Sequence, residues 1–323
     1  MLNKLIWDFK RGKIFYRIAD VVSSQKLGEY YFVFDEERVR AGKDQALISS
    51  YDENGIPLNK TYIDVSKEKL VYFPITIGQM GLAVYQTYLK TQDQRDLDMF
   101  LKFAEWFLQN GMDDDKLGVR WLTDVPLPAY RNLGPWQSAF AQSRAISILL
   151  RAYQATEKQE YAKVAEKALV SFQYSVSEGG VVSYTEWGPF YEEYTASVPV
   201  LVLNGHIFSL FGLLDFHRVF PEQKTAKTLF EVGVETVLNC LPSFDLGYWS
   251  RYNYCQADFY PTIDPATLGY QRLHILLLKV MNKIRTSEIL VKYINRWENQ
   301  VHPLNYMKSS WHKYLALKSL NRI

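Results

Sequence analysis

The chain has 323 residues, with 37 lysines and arginines against 35 aspartates and glutamates, a net charge of +2. Apolar residues make up 48% and charged residues 22%, a core-forming composition that excludes disorder. The near-neutral balance argues against a dedicated nucleic-acid binder, which needs a basic excess to neutralise phosphates. No apolar run approaches the roughly 20 residues of a membrane span, so no transmembrane helix is expected. Lys4 interrupts the apolar start, so no secretory leader is expected either. Cys240 and Cys255 are the only cysteines, too few for a disulfide framework. A reducing, cytoplasmic location follows as the expectation. Aromatic residues reach 15%, including 23 tyrosines, which suits a groove that stacks on sugar rings as well as a core.

The first 70 residues read as an N-terminal arm with one or more β-hairpins. Tyr30–Phe34 and Thr61–Val65 favour strands, and Asp52-Glu53-Asn54-Gly55 is a turn signal. Lys4, Lys10, Arg11, Lys13 and Arg17 lie among apolar residues in a leading segment, read as docked on the rest or on a partner subunit. From Gly78 the periodicity is helical. Segments apolar on nearly every side (Trp136–Tyr153, Ser197–Phe216 and Thr267–Met281) alternate with segments carrying a single apolar stripe, and the earlier pair Gly78–Lys90 and Asp96–Gln109 fits the pattern less cleanly. Ala226, Leu229, Phe230, Gly233, Val234 and Val237 form one such stripe. A helix apolar all round is buried, and a striped one lies outside it. The alternation predicts a mainly α protein, an α/α toroid of about four inner/outer helix pairs over residues 71–323, behind a small β-containing arm over 1–70. Inner-to-outer turns are short, whereas Asn110–Pro135, Val176–Ala196 and Leu241–Ala266 are long. In an up-down array the long connections emerge at one rim, where the site is expected.

Those connections carry the chemistry-bearing residues. One holds Trp187–Tyr194 and another Leu241–Tyr254, and the last inner helix opens Tyr270-Gln271-Arg272-Leu273-His274. Gathered at one rim they supply carboxylates, phenols, guanidiniums and an imidazole, a set suited to recognition and proton transfer on an acidic sugar. A polar rim of solvated loops with packing tyrosines fits the same spacing. Five scattered histidines lack metal-ligand spacing, so neither a metal nor another cofactor is expected. Asp113-Asp114-Asp115 lacks the alternating oxygen ligands of a calcium loop and reads as a solvated turn. His206, within an inner helix, reads as a core histidine.

The same segments resemble the D-glucuronyl C5-epimerases. Tyr191-Glu192-Glu193-Tyr194 followed by Val202-Leu203-Asn204-Gly205 is similar to that family's EEY…VLNG signature. Ala141-Gln142-Ser143-Arg144 with Arg151-Ala152-Tyr153 resembles its AQGQ…RAY stretch. Leu241–Gly247 with Tyr252, and Tyr270 with His274, match its last blocks in order, and Tyr72-Phe73-Pro74-Ile75 resembles an upstream element. The resemblance covers about residues 70–300. It implies an α/α toroid that inverts C5 of D-glucuronate to L-iduronate within heparosan or heparan-sulfate precursor chains. It places catalytic roles on Glu193, Tyr194, Tyr252 and Tyr270; substrate contacts are expected from Gln142, Arg144, Asn204, Trp249, Arg251, Arg272 and His274. It also implies an acidic polysaccharide partner and a homodimer. Residues 253–256, Gln271 and Thr195 depart from the family pattern, Thr195 standing where proline is usual.

The reaction explains these residue types. Removing the hydrogen α to a carboxylate puts a second negative charge on an anionic group, so cations or hydrogen-bond donors must neutralise it, with Arg144, Arg251 and Arg272 as candidates. Inversion needs a base on one face and an acid on the other. Glu193 and Tyr270 are read as that opposed pair, with Tyr194 and Tyr252 assisting. A polysaccharide lyase begins with the same proton abstraction, and a glycan-binding homologue without chemistry would keep the same cleft.

Overall fold

The computed structural model describes residues 17–19, 21–40, 48–61 and 69–322, and it is mainly helical. A single turn, α1 (Glu36–Arg40), precedes four helix pairs. These are α2 (Pro74–Thr91) with α3 (Gln94–Gln109), α4 (Ala139–Thr156) with α5 (Gln159–Ala168), α6 (Leu203–Val219) with α7 (Lys224–Phe244), and α8 (Leu268–Ile284) with α9 (Glu288–Gln300). A last helix, α10 (Pro303–Ser319), follows. The first members begin 65, 64 and 65 residues apart, more evenly than the sequence pattern predicts. They pack side by side in order, α2 on α4, α4 on α6 and α6 on α8, each carrying its second member. The apolar character explains the layering. α6 buries nearly every residue, whereas α3 buries only Leu97, Phe100, Phe103, Ala104 and Phe107.

Two inner helices start later than their apolar runs. Ser138 caps α4, its Oγ accepting the Ala141 N–H, and Trp136–Gln137 forms a strand instead. The run from Ser197 does not become helical until Leu203, because Pro199 intervenes and Leu201 takes a left-handed φ of 56°. At the other extreme α7 continues through Leu241 to Phe244, with Pro242 in its last turn.

At the α4–α6 contact the backbones come very close. A Cβ on Gly212 would lie 2.6 Å from the Ser143 Cα. Ser143 Oγ donates to the Phe208 carbonyl at 2.7 Å and accepts the Gly212 N–H at 2.8 Å, so it sits inside the α6 hydrogen-bond ladder.

The strands are short. β1 (Arg17–Ile18) pairs antiparallel with β2 (Phe32–Val33), and β3 (Ile48–Tyr51), β4 (Pro57–Lys60) and β5 (Leu70–Val71) form an antiparallel sheet. The expected turn at 52–55 joins β3 to β4, Gly55 supplying a φ of 82°. The strand expected over Tyr30–Phe34 contracts to β2. Tyr62–Val65 and the leading basic residues Lys4, Lys10, Arg11 and Lys13 lie outside the described residues. The long connections contain hairpins that the sequence reading takes as loop: β6 (Met112–Asp114) with β7 (Gly118–Arg120), β8 (Leu122–Thr123) with β9 (Trp136–Gln137), and β10 (Val182–Thr185) with β11 (Gly188–Tyr191).

These connections feed the N-terminal ends of α4, α6 and α8. The C-terminal ends of α4 and α6 are covered by the segment before α1. Gln154 accepts the Leu27 N–H and donates to the Gln25 carbonyl, both at 2.8 Å, and Arg218 Nε donates to the Ser24 carbonyl at 2.7 Å. Beneath that cover Arg151 pairs with Asp215 at 2.7 Å, both fully buried, and Arg218 adds a longer contact to the same carboxylate.

Candidate active site

The open rim gathers one acid and three phenols. Glu193 and Tyr194 lie in the connection entering α6, Asn204 and Gly205 on its first turn, Tyr252 in the connection entering α8, and Tyr270 on the first turn of α8. The two connections are stitched together where the Tyr254 N–H donates to the Leu201 carbonyl at 3.1 Å and Val202 bridges to Asn253.

Glu193 is 5% exposed. Its Oε2 accepts from Asn204 Nδ2 at 3.1 Å, and Tyr194 also hydrogen-bonds its carboxylate. Gly205 makes room for it, since a Cβ there would lie 2.4 Å from the Glu193 Cβ. The Tyr194 and Tyr252 hydroxyls approach to 3.4 Å, and the Tyr252 and Tyr270 rings meet edge to face at 5.0 Å. Burial pushes the Glu193 carboxyl up to about 7, against its two hydrogen-bond donors and helped by the neighbouring Glu192. Burial first, and then the charges of Tyr270 and Glu193, hold the Tyr252 phenol well above its ordinary value. Tyr270 is raised by burial and by Glu193. Both phenols are therefore neutral proton donors at neutral pH, and Glu193 is the group that changes charge there.

Glu192 faces away from this cluster. Its carboxylate accepts from Ser183 Oγ at 2.6 Å and from the Val200 and Leu201 N–H groups at 3.1 and 2.9 Å, pinning the turn that leads into α6. Burial raises it to about 7 while those three donors pull it down.

The residues expected to touch substrate divide sharply. Asn204 reaches the cluster. Gln142 is fully buried and spends its amide on the Trp121 N–H, the Val119 and Ala168 carbonyls and Ser171, tying the β7 hairpin to α4. Arg144 is fully buried with its guanidinium 4.7 to 4.9 Å from the rings of Tyr30, Phe34, Phe140 and Phe208. Trp249 exposes no face for stacking and donates to the Ala266 carbonyl at 2.8 Å. Those three expectations are corrected: each side chain is sealed in the scaffold. Arg251 is partly exposed but committed to the Ser243 and Thr262 carbonyls. Arg272, also partly exposed, stands two residues after Tyr270 and so about 200° round α8 from it. His274, one turn on, shares the Tyr270 face. It is fully buried, its Nδ1 on Ser250 Oγ at 2.9 Å, and burial lowers it to about 3.

Two residues at the site carry no sequence signal. Tyr130 stacks on Tyr194 at 5.8 Å, and Lys313, on α10, lies 5.0 Å over the Tyr252 ring while pairing with Asp264 at 2.6 Å. Both arrive through long-range packing that no local spacing encodes. His206 is a satisfied core residue, accepting the Tyr191 N–H at 2.8 Å with its other nitrogen on the Gly233 carbonyl. Asp113 pairs with Lys167, and Asp114 with Arg120. Among the described residues no group of three or more His, Cys, Asp or Glu side chains is placed to hold a metal ion, and no helix is long and apolar enough to cross a membrane.

The sequence profile described as D-glucuronyl C5-epimerase C-terminus matches residues 114–299, more than half of the chain and all four residues of the cluster. The protein belongs to that family. A D-glucuronyl C5-epimerase of Caenorhabditis elegans is 29% identical over 237 residues, which is 69% of this chain and 38% of that protein. The chain thus spans well under half the length of this relative. An uncharacterized protein of Methanocaldococcus jannaschii is 24% identical over 263 residues, covering 73% of this chain and 81% of that one. Among solved structures, a cellobiose 2-epimerase from Spirochaeta thermophila aligns with a TM-score of 0.48 and 10% identity, over 69% of this chain and 57% of that one. Lys313 lies beyond the matched segment.

Proposed function

We propose that the protein is a uronyl C5-epimerase, converting D-glucuronate to L-iduronate within a heparosan-like polysaccharide. The observation that carries this reading is a buried carboxyl, held by Asn204 and Tyr194 beside the Tyr252 and Tyr270 phenols where the connections into α6 and α8 are stitched together, and pushed up to about 7 by burial. Glu193 takes the C5 proton as base. The electron pair moves into the sugar carboxylate, making an enediolate-like dianion. Tyr270 then delivers its phenolic proton to C5 from the opposite face, and the two groups regain their starting states by exchange with water.

Tyr194 and Tyr252 donate hydrogen bonds to the carboxylate as charge builds. The positive ends of α4, α6 and α8 and the Lys313 ammonium favour the same anion. Membership of the epimerase family supports the reaction type. The reading also takes residues 71–323 as the catalytic unit, with its helix pairs closing into an α/α toroid and residues 1–70 packed on it as an arm.

The test is incubation with unsulfated heparosan in D₂O, read by proton NMR and ultraviolet absorbance, for wild type, Glu193→Gln and Tyr270→Phe. Deuterium at C5 with intact chains and new iduronate signals is expected from the wild type. Both variants are expected to lose at least a hundredfold in turnover. Unsaturated chain ends would make the protein a lyase using the same residues. Full turnover by both variants would overturn the assignment.

A further inference from the structure

The last helix, α10, touches the candidate site with one face and exposes the other. Tyr306 and Ala316 are buried against the body, and Lys313 lies over the Tyr252 ring. On the opposite side Leu304, Met307, Trp311 and Leu315 are 45 to 74% exposed. Their spacing of three, four and four residues sets them in one stripe, roughly 16 Å long at the helical rise. Trp311 and Lys313 are two residues apart, so the stripe lies about 200° round the helix from the lysine that meets the site. Tyr314 stacks on Trp311 at 5.8 Å and widens the aromatic part of the stripe. Single exposed apolar side chains are ordinary on a protein surface, but four in register along one helix form a docking face.

Charge decides which partner fits that face. From Asn299 to Ile323 the chain carries Lys308, Lys313, Lys318 and Arg322 and no aspartate or glutamate. This one segment therefore holds more positive charge than the net +2 of the whole chain. Lys313 is neutralised by Asp264 on the inner face. Lys308 and Lys318 are exposed, and both fall on the striped side, one residue after Met307 and three after Leu315. Lys308 is held there 4.2 Å over the Tyr248 ring. A second copy of the chain, meeting the stripe across a two-fold axis, would set lysines against lysines with no carboxylate on the helix to pair them. An anionic lipid surface suits both halves of the pattern. The acyl boundary takes the apolar side chains, the indole sits at headgroup depth, and the lysines reach phosphates on flexible stems.

We propose that α10 is a membrane-surface helix, docking the protein on bilayers that contain anionic lipids. Leu304, Met307, Trp311 and Leu315 enter the headgroup boundary, and Lys308 and Lys318 bind the lipid phosphates. The inference does not depend on the epimerase reading. Because Lys313 ties the inner face of the helix to Asp264 and Tyr252, a docked α10 also fixes how the candidate site is turned relative to the bilayer.

The test is co-sedimentation of the full chain with vesicles of phosphatidylcholine alone and of phosphatidylcholine mixed with phosphatidylglycerol, alongside analytical ultracentrifugation without lipid. The wild type is expected to sediment with the mixed vesicles, only weakly with the neutral ones, and to be released by salt. Trp311→Ser combined with Leu315→Ser is expected to weaken partitioning at least about tenfold with an unchanged Tm, since both side chains are already in water. Lys308→Gln and Lys318→Gln are each expected to weaken it about fivefold. Failure of the wild type to bind mixed vesicles, equal binding to neutral ones, or wild-type binding by the double variant would overturn the proposal. So would a wild-type dimer that the double variant turns into a monomer, because the stripe would then belong to a second copy.

Discussion

Under the epimerase reading Glu193 acts as a base only when ionised, and burial pushes its carboxyl up to about 7. Turnover should therefore fall about tenfold per pH unit below 7 and level off above it, measured as deuterium entry at C5 between pH 5 and 8.5. A flat profile would remove Glu193 from that role. Stability should move the other way. The folded state holds a proton that the unfolded chain releases near 4.5, so the Tm should decline as pH rises from about 4.5 to 7 and then stay level. Family-like motifs made Glu193, Tyr194, Tyr252 and Tyr270 legible as a set, two in the connection into α6, one in the connection into α8 and one on the first turn of α8. The sequence reading misassigned Gln142, Arg144 and Trp249, because residue type does not reveal whether a polar tip ends in a cleft or in a carbonyl of the scaffold. Lys313 was unreadable, reaching the rim from a helix with no motif of its own.

Among the elements, α4 and α6 depend on each other most. Their contact contains the Ser143 hydroxyl inserted in the α6 ladder and, near the opposite end, the Arg151–Asp215 pair. Asp215→Ala would leave Arg151 buried without its carboxylate. A loss of about 3–5 kcal/mol is expected in urea unfolding, whereas a loss under 1 kcal/mol would mean that the buried arginine finds another partner. The alternation of inner and outer helices was legible because it depends on whether a segment is apolar on one side or all sides. The helix starts were less so. An all-apolar run has no period, so the strand at Trp136 and the irregular turn through Pro199 and Leu201 could not be told from the helices they precede. The hairpins inside the long connections escaped for a related reason, since strands of two to four residues carry too little pattern.

For the whole molecule, the two ends of the inner helices differ. At one end the connections into α4, α6 and α8 hold the Glu193 cluster, in which Tyr194, Tyr252 and Tyr270 are partly exposed. At the other, residues 21–34 bond to Gln154, Arg151 and Arg218 and close the bundle. Under the epimerase reading that cover leaves approach only from the connection end, so a polymer would lie across the site and not thread through. Under the epimerase reading no chain terminus has to arrive first, and each encounter starts wherever the strand happens to land. Early in the reaction the converted units should then be scattered along the strand, as NMR of partly converted heparosan would report, while contiguous blocks growing from one terminus would require a passage through the bundle. A plug at the far end thus becomes a rule about the order in which a polymer is edited.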